Sequence, residues 1–200
     1  MNSKIGLFFG SFNPIHIGHT AIANYILEYS DLSEIWFIVT PQNPFKKDEN
    51  LINEHFRLEM TKISIADDPR FKASDIEFNL PKPSFTINTL QELNRLYPSN
   101  IFVLLMGSDN IINLNKWKDA DKIIGNYEII VYPRQGYPIS ATDLPPNTKI
   151  IDAPIMEISS TMIRNSLKAG KKLSYFLLSD VYKYVKMNDL YERCKVNGAR

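Results

Sequence analysis

"GLFFGSFNPIHIGHTAIANYI", residues 6–26, is the stretch from which the fold can be read. An apolar run, Ile5 to Phe9, stops at Gly10 and gives way to a polar turn through Asn13-Pro14. A helical pattern then begins with His16 and His19 in its first turn. A buried strand, a tight polar turn and a helix in that order make the opening unit of a parallel α/β sheet.

The rest of the chain repeats the alternation. Strands are predicted at Ile5–Phe9, Ile35–Val39, Phe71–Ala73, Ile101–Met106, Tyr127–Tyr132 and Lys149–Ile151. Helices are predicted near 17–29, 53–66 and 86–96 between the first four strands, then at 160–169 and 179–187. "IFVLLM" at 101–106 is apolar throughout, as a strand covered on both faces should be. Strands joined by helices imply right-handed crossovers. Pro133–Thr148 reads as a long loop. No repeat, low-complexity tract or linker divides the chain, so residues 1–200 are expected to form one domain with a helical C-terminal end.

Composition narrows the function. A net charge of +1 provides no polyanion-binding surface, so no nucleic-acid partner is expected and any phosphate site must be local. A single cysteine, Cys194, cannot close an internal disulfide, which fits a reducing, cytoplasmic setting. No apolar stretch is long enough to span a membrane. The apolar start followed by "AIA" at 21–23 mimics a secretory leader, but Ser11, Asn13, Pro14 and the histidines interrupt it. The sequence sets no oligomeric state, and a homo-oligomer is compatible with it.

In open parallel sheets, ligands sit beyond the C-terminal strand ends, where the strand order reverses. Three polar loops fall there: "GSFNPIHIGH", "TPQNPFK" and "GSD". A helix's first turn offers unpaired amides and a positive dipole end to an anion. His16 and His19, three residues apart, share one helix face above it. Gly10 and Gly18 are expected to clear space for a ligand against the backbone. Zinc would need a third ligand, and the only other histidine, His55, lies in no ligand pattern. No metal-ligating residues are expected. On spacing alone the two histidines could also be helix-capping or core residues.

Further motifs settle the comparison. "GSFNPIHIGH" resembles the HxGH signature of the nucleotidylyltransferase superfamily, and "ISSTMIR" at 158–164 resembles its second phosphate motif. "PSFTINTLQEL" at 83–93 and "MGSDNIINLNKW" at 106–117 resemble segments of bacterial nicotinate-nucleotide adenylyltransferases. "NPFK" at 43–46 resembles that family's lysine-bearing loop more loosely, with Lys46 or Lys47 in the functional place. The departures are Asn13 where the family often has Asp and Phe85 where Tyr is common.

The resemblance implies a Rossmann-like open parallel sheet flanked by helices and a transfer of the adenylyl group of ATP to nicotinate mononucleotide. It implies catalytic roles for His16, His19 and Arg164. The ATP site would draw on Gly10, Ser11, Phe12, Gly18, Gly107, Asp109, Arg134, Ser159 and Ser160. Lys46, Thr86 and Trp117 would serve the mononucleotide, with His55 and Arg57 as secondary candidates for substrate contact. Read by itself, Asp109 is equally a helix cap for 110–115, and Trp117 an ordinary core tryptophan. Mg²⁺ is expected to arrive on the phosphates without a dedicated carboxylate cage. The rivals are a phosphopantetheine adenylyltransferase, a cytidylyltransferase and a non-catalytic dinucleotide sensor. The first carries threonine at the first histidine of the motif and lacks the Trp117 segment.

Overall fold

A computed structural model describes residues 3–44 and 51–191. Six strands form one sheet: β1 (Lys4–Gly10), β2 (Glu34–Val39), β3 (Phe71–Ser74), β4 (Ile101–Gly107), β5 (Glu128–Tyr132) and β6 (Thr148–Ile150). Every pairing is parallel, in the order β3-β2-β1-β4-β5-β6. The chain winds outward from β1 through β2 to β3, then returns to the other side of β1 to lay down β4, β5 and β6. Strand order therefore reverses between β1 and β4, and the turns leaving those two strands part there to open a crevice.

The seven helices described are α1 (Ile17–Glu28), α2 (Glu54–Ser64), α3 (Thr86–Leu96), α4 (Ser108–Ile111), α5 (Ala120–Asn126), α6 (Ser160–Lys168) and α7 (Ser179–Met187). Alternate residues along each strand feed opposite faces. Phe8, Phe37, Val103 and Ile130 pack under α1, α2, α6 and α7. Leu7, Ile38, Leu104 and Ile129 pack under α3 and α5. Both faces of β1 are thus dry, which explains its unbroken apolar run. α1 docks through Ile22, Ala23, Ile26 and Leu27, all buried and spaced as one helical stripe.

Two short helices, α4 and α5, occupy the β4–β5 connection, where the sequence offered only a helix at 110–115 as one reading of Asp109. α5 is only seven residues long and contains Gly125, too short for apolar periodicity to register. The loop after β5 contains a 3₁₀ turn, Ala141–Asp143. No helix among the described residues is long and apolar enough to cross a membrane.

Candidate active site

The crevice at the β1/β4 switch holds two adjoining lobes of about 390 and 460 Å³. They share the wall made by Gly10, Ser11, Asn43, Asp109 and Asn110. The first lobe gathers His16, His19, Arg134, Ser159, Ser160 and Arg164. The second gathers Thr86, Phe85, Trp117, Lys116, Lys118 and Glu77. The described residues of the three loops expected from sequence to converge on one edge do so.

His16 is the N-cap of α1, and His19 stacks on it with ring centroids 3.7 Å apart and planes 29° from parallel. The backbone N–H of His16 donates to His19 Nδ1 at 3.2 Å. With Nδ1 accepting, the neutral His19 ring carries its proton on Nε2, where it can serve as a donor. The His16 ring lies over the His19 amide in a capping-box arrangement but too poorly aligned to bond, so its Nδ1 is buried without a partner. Burial pushes the His16 imidazole down to about 4, and the Arg134 guanidinium adds to the effect. Two imidazolium ions this close would repel by about 4 kcal/mol at a surface-like dielectric. The pair therefore does not meet its ligand as two cations, and the His16 ring enters as a neutral imidazole. The helix-capping and core readings open to the histidines from sequence thus hold for His16, which is the N-cap and only 6% exposed, while the stacking of the two rings was not legible.

The first turn of α6 closes the same lobe. Ser159 caps the helix, accepting from the Met162 amide at 3.2 Å. Ser160 Oγ donates to the Pro14 carbonyl at 2.9 Å, and Arg164 Nη1 donates to the Asn13 carbonyl at 2.8 Å. Both contacts dock α6 onto the turn after β1. They also commit the Ser160 proton, so toward a phosphate this hydroxyl offers no donor in this arrangement. Tyr191 Oη donates to Asn13 Oδ1 at 2.8 Å from the far end of the chain.

Gly10 and Gly18 do not owe their place to ligand approach alone. A Cβ on Gly10 would meet the Phe12 ring at 2.7 Å, and one on Gly18 would meet the His16 ring at 3.1 Å. The clearance serves the protein's own rings first. Phe12, 2% exposed and at φ 44°, packs edge-on to Phe8 and His19 and forms the floor beneath the histidines.

Gly107 is the N-cap of the short helix α4, and Asp109 is its second residue. The capping role open to Asp109 from sequence is thus filled by a glycine. A Cβ at Gly107 would collide with Asp109 Oδ1 and with Arg134 Cγ. Arg134 Nε stands 3.7 Å from Asp109 Oδ1, and the Arg134 amide donates to Ser108 Oγ at 2.9 Å. Among the described residues Asp109 is the only carboxylate lining the first lobe.

In the second lobe Thr86 opens α3, whose cap residue Phe85 places no side-chain cap on the helix. The first-turn amides beside Thr86 suit an anionic group. Trp117 is half-buried: it packs against the α3/α5 core yet lines the lobe. Lys118 Nζ sits 4.8 Å from the Phe85 ring centroid, adding a cation at the rim. Lys46 and Lys47 lie outside the described residues.

Arg57 and His55 do not line either lobe. His55 is exposed and meets the Phe78 ring edge-on. Arg57 is fully buried and donates to the carbonyls of Ile52 (3.0 Å), Ser11 (2.6 Å), Thr40 (2.8 Å) and Pro41 (3.3 Å). It is a strut beneath the site, not a substrate contact. Sequence reasoning also missed Tyr191, whose partner lies 178 residues away, and Glu77, hidden in an apolar "DIEF".

Comparison with known proteins agrees with this architecture. Residues 7–166 match the family described as cytidylyltransferase-like. A Bacteroides fragilis protein named "Probable nicotinate-nucleotide adenylyltransferase" is 48% identical over 183 residues, covering 92% of this chain and 91% of that one. A Christiangramia forsetii protein of the same name is 47% identical over 194 residues, covering 96% of this chain and all of its own. Plasmodium falciparum nicotinic acid mononucleotide adenylyltransferase, solved in complex with NaAD, shares the fold at a TM-score of 0.81 and 22% identity, covering 95% of this chain and 98% of that one. With such identity spanning nearly its whole length, the chain belongs to the nicotinate-nucleotide adenylyltransferases, nucleotidyltransferases of the cytidylyltransferase-like family.

Proposed function

We infer that the protein joins ATP and nicotinate mononucleotide to give nicotinate adenine dinucleotide and pyrophosphate, a step of NAD biosynthesis. One observation carries the reading: a lobe lined by His16, His19 and Arg164 and a lobe lined by Phe85 and Trp117 meet at the Gly10–Ser11 and Asp109 wall, which gives two substrates adjoining places. The acceptor's phosphate is largely dianionic at pH 7, its second pKa being about 6. One of its oxygens bonds to the α-phosphorus of ATP while the α–β bridging bond breaks, and the electron pair leaves with pyrophosphate. No proton need move, so no general base is required.

The protein's task is alignment and charge stabilisation. His16, His19 and Arg164 would face the triphosphate, with the first turn of α6 adding its positive dipole end. Donors held in place before the reaction cost no reorganisation as charge develops on the leaving group. Asp109 would accept from a ribose hydroxyl. Thr86 and the α3 amides would receive the nicotinate carboxylate, and Trp117 would stack on its ring. Lys46 is proposed to neutralise phosphate charge from the second loop.

No three His, Cys, Asp or Glu side chains among the described residues group to hold a metal ion. Asp109, whose Oδ1 is buried without a hydrogen-bond partner, gives a donor set that fits an ion carried on the phosphates and not a protein cage. Bound there, Mg²⁺ supplies charge neutralisation on the leaving pyrophosphate.

The test is pyrophosphate release from ATP with a panel of acceptors. Nicotinate mononucleotide should be the preferred acceptor. Preference for phosphopantetheine, or no turnover with any acceptor, would overturn the reading.

A further inference from the structure

Beneath the second lobe lies a carboxyl for which the reaction has no use. Glu77 stands on a 3₁₀ turn, Ile76–Asn79, and is 1% exposed, yet it lies among the residues that line the lobe with Ser84 and Thr86. Thr89 Oγ1, on the buried side of α3, donates to its Oε1 at 2.7 Å. The hydroxyls of Thr40, just past β2, and Ser84, just before α3, also face this carboxyl. The set is incompletely bonded: Glu77 Oε2 and Ser84 Oγ are both buried without a well-aligned partner. A buried polar group left in this state is costly and is not accounted for by packing.

The connections explain what the carboxyl holds. The Ser84 amide donates to the Gln42 carbonyl at 3.0 Å, so the strand entering α3 is already tied to the loop after β2. Glu77 adds a second tie between the same two segments from below. Thr86 follows two positions after Ser84, at the first turn of α3. Burial raises the Glu77 carboxyl above the usual range, against the pull of the three hydroxyls. A carboxyl biased toward its neutral form can lie under an anionic acceptor without repelling it.

We propose that Glu77 is a positioning residue for acceptor choice: by gathering Thr40, Ser84 and Thr89 around one buried carboxyl, it sets Thr86 and the first turn of α3 against the end of β2. The proposal rests on the reading of this lobe as the acceptor site. In this role Glu77 acts through the segment that carries Thr86.

Initial-rate kinetics on the full-length protein test it, with ATP against nicotinate and nicotinamide mononucleotides. Glu77→Ala should raise KM for nicotinate mononucleotide about tenfold and narrow the preference for it by a similar factor, as expected when a polar site loses its placement. KM for ATP should stay within about twofold, since the phosphate lobe is held separately. Glu77→Gln keeps an oxygen for Thr89 and should restore most of the loss. Thr89→Val removes the one well-formed bond without changing shape, and it should show the same split even if Glu77→Ala fails to fold. KM values that rise together for both substrates, or a lower Tm with no kinetic split, would overturn the role of Glu77. A wild type that adenylylates neither mononucleotide would instead defeat the functional reading, before any variant is compared.

Discussion

Tyr191 and Asn13 stand 178 positions apart in sequence, yet the Tyr191 phenol donates to Asn13 Oδ1 at 2.8 Å in the protein interior. The carbonyl of the same Asn13 receives Arg164 Nη1, also at 2.8 Å. One residue of the turn after β1 thus holds Tyr191 on its side chain and Arg164 on its backbone. The chain reaches this point by a hook after α7, with Asp189 and Tyr191 at φ 50° and 64°.

Removing only the phenol oxygen tests that relay. Tyr191→Phe should cost about 1 kcal/mol of stability, the usual worth of one buried hydrogen bond. If Asn13 transmits the loss to Arg164, kcat/KM for ATP falls by about fivefold, the same energy expressed at the transition state. KM for nicotinate mononucleotide should not change. Thermal unfolding and initial rates read the two effects separately, and a stability loss without a kinetic one would uncouple the hook from the arginine.

His16 makes a prediction about acid. Its imidazole titrates at about 4 in the folded protein, below the ordinary 6.5. As pH falls, the unfolded chain takes up this proton first, so the stability is intact above about 6.5 and drains away toward about 4. The most this group can cost is ~3 kcal/mol. His16→Asn keeps a good helix cap and should flatten the fall in Tm across that window. The same variant, and His19→Ala, should lower turnover by about 10²–10³, the scale for losing a preorganised donor. Near-normal turnover in either folded variant would remove that histidine from the mechanism.

Gly107→Ala should separate function from folding. The backbone there is at φ −72° and tolerates alanine, and the atoms a Cβ would strike belong to two side chains, the Asp109 carboxylate and the Arg134 stem, not to backbone. Tm should move by no more than about 1 kcal/mol equivalent. Asp109 and Arg134 must swing away from the shared wall, so ATP binding should weaken while the acceptor's KM holds. Isothermal titration with a non-hydrolysable ATP analogue is the direct measurement.

Trp117→Ala should weaken mononucleotide binding by about 1–3 kcal/mol, the worth of ring stacking, and leave ATP affinity nearly unchanged. Thr86→Val keeps shape but removes a hydroxyl, and it should erode the preference for nicotinate over nicotinamide mononucleotide. Equal losses for both substrates in Trp117→Ala would make that residue a core tryptophan only.

Elements with long, clean periodicity were legible before any coordinates: α3 at Thr86–Leu96 matches its predicted span, and each of the six strands lies within a residue or so of its expected place. Parallel pairing followed from the strand–helix alternation, whereas the order β3-β2-β1-β4-β5-β6 came only with the structure. Residues of the first lobe were legible for a different reason, since HxGH and "ISSTMIR" are local patterns. What stayed hidden depends on distant partners. Arg57 looks like a helix-face cation until four carbonyls from two loops are seen around it. The need for Gly10 resides in a ring two positions on, which the turn folds back over it.

Arg57 has a consequence for anyone who would rebuild this enzyme. One planar cation fastens Ser11, in the turn proposed to hold ATP, to Thr40 and Pro41, in the loop proposed to lead to the acceptor. The two loops are therefore a single part, not interchangeable modules. A graft that replaces residues 40–44 to admit a different acceptor will inherit the old phosphate turn only if it presents carbonyls where the guanidinium expects them. Grafts that ignore this should fail first with ATP, the substrate their designer never meant to touch.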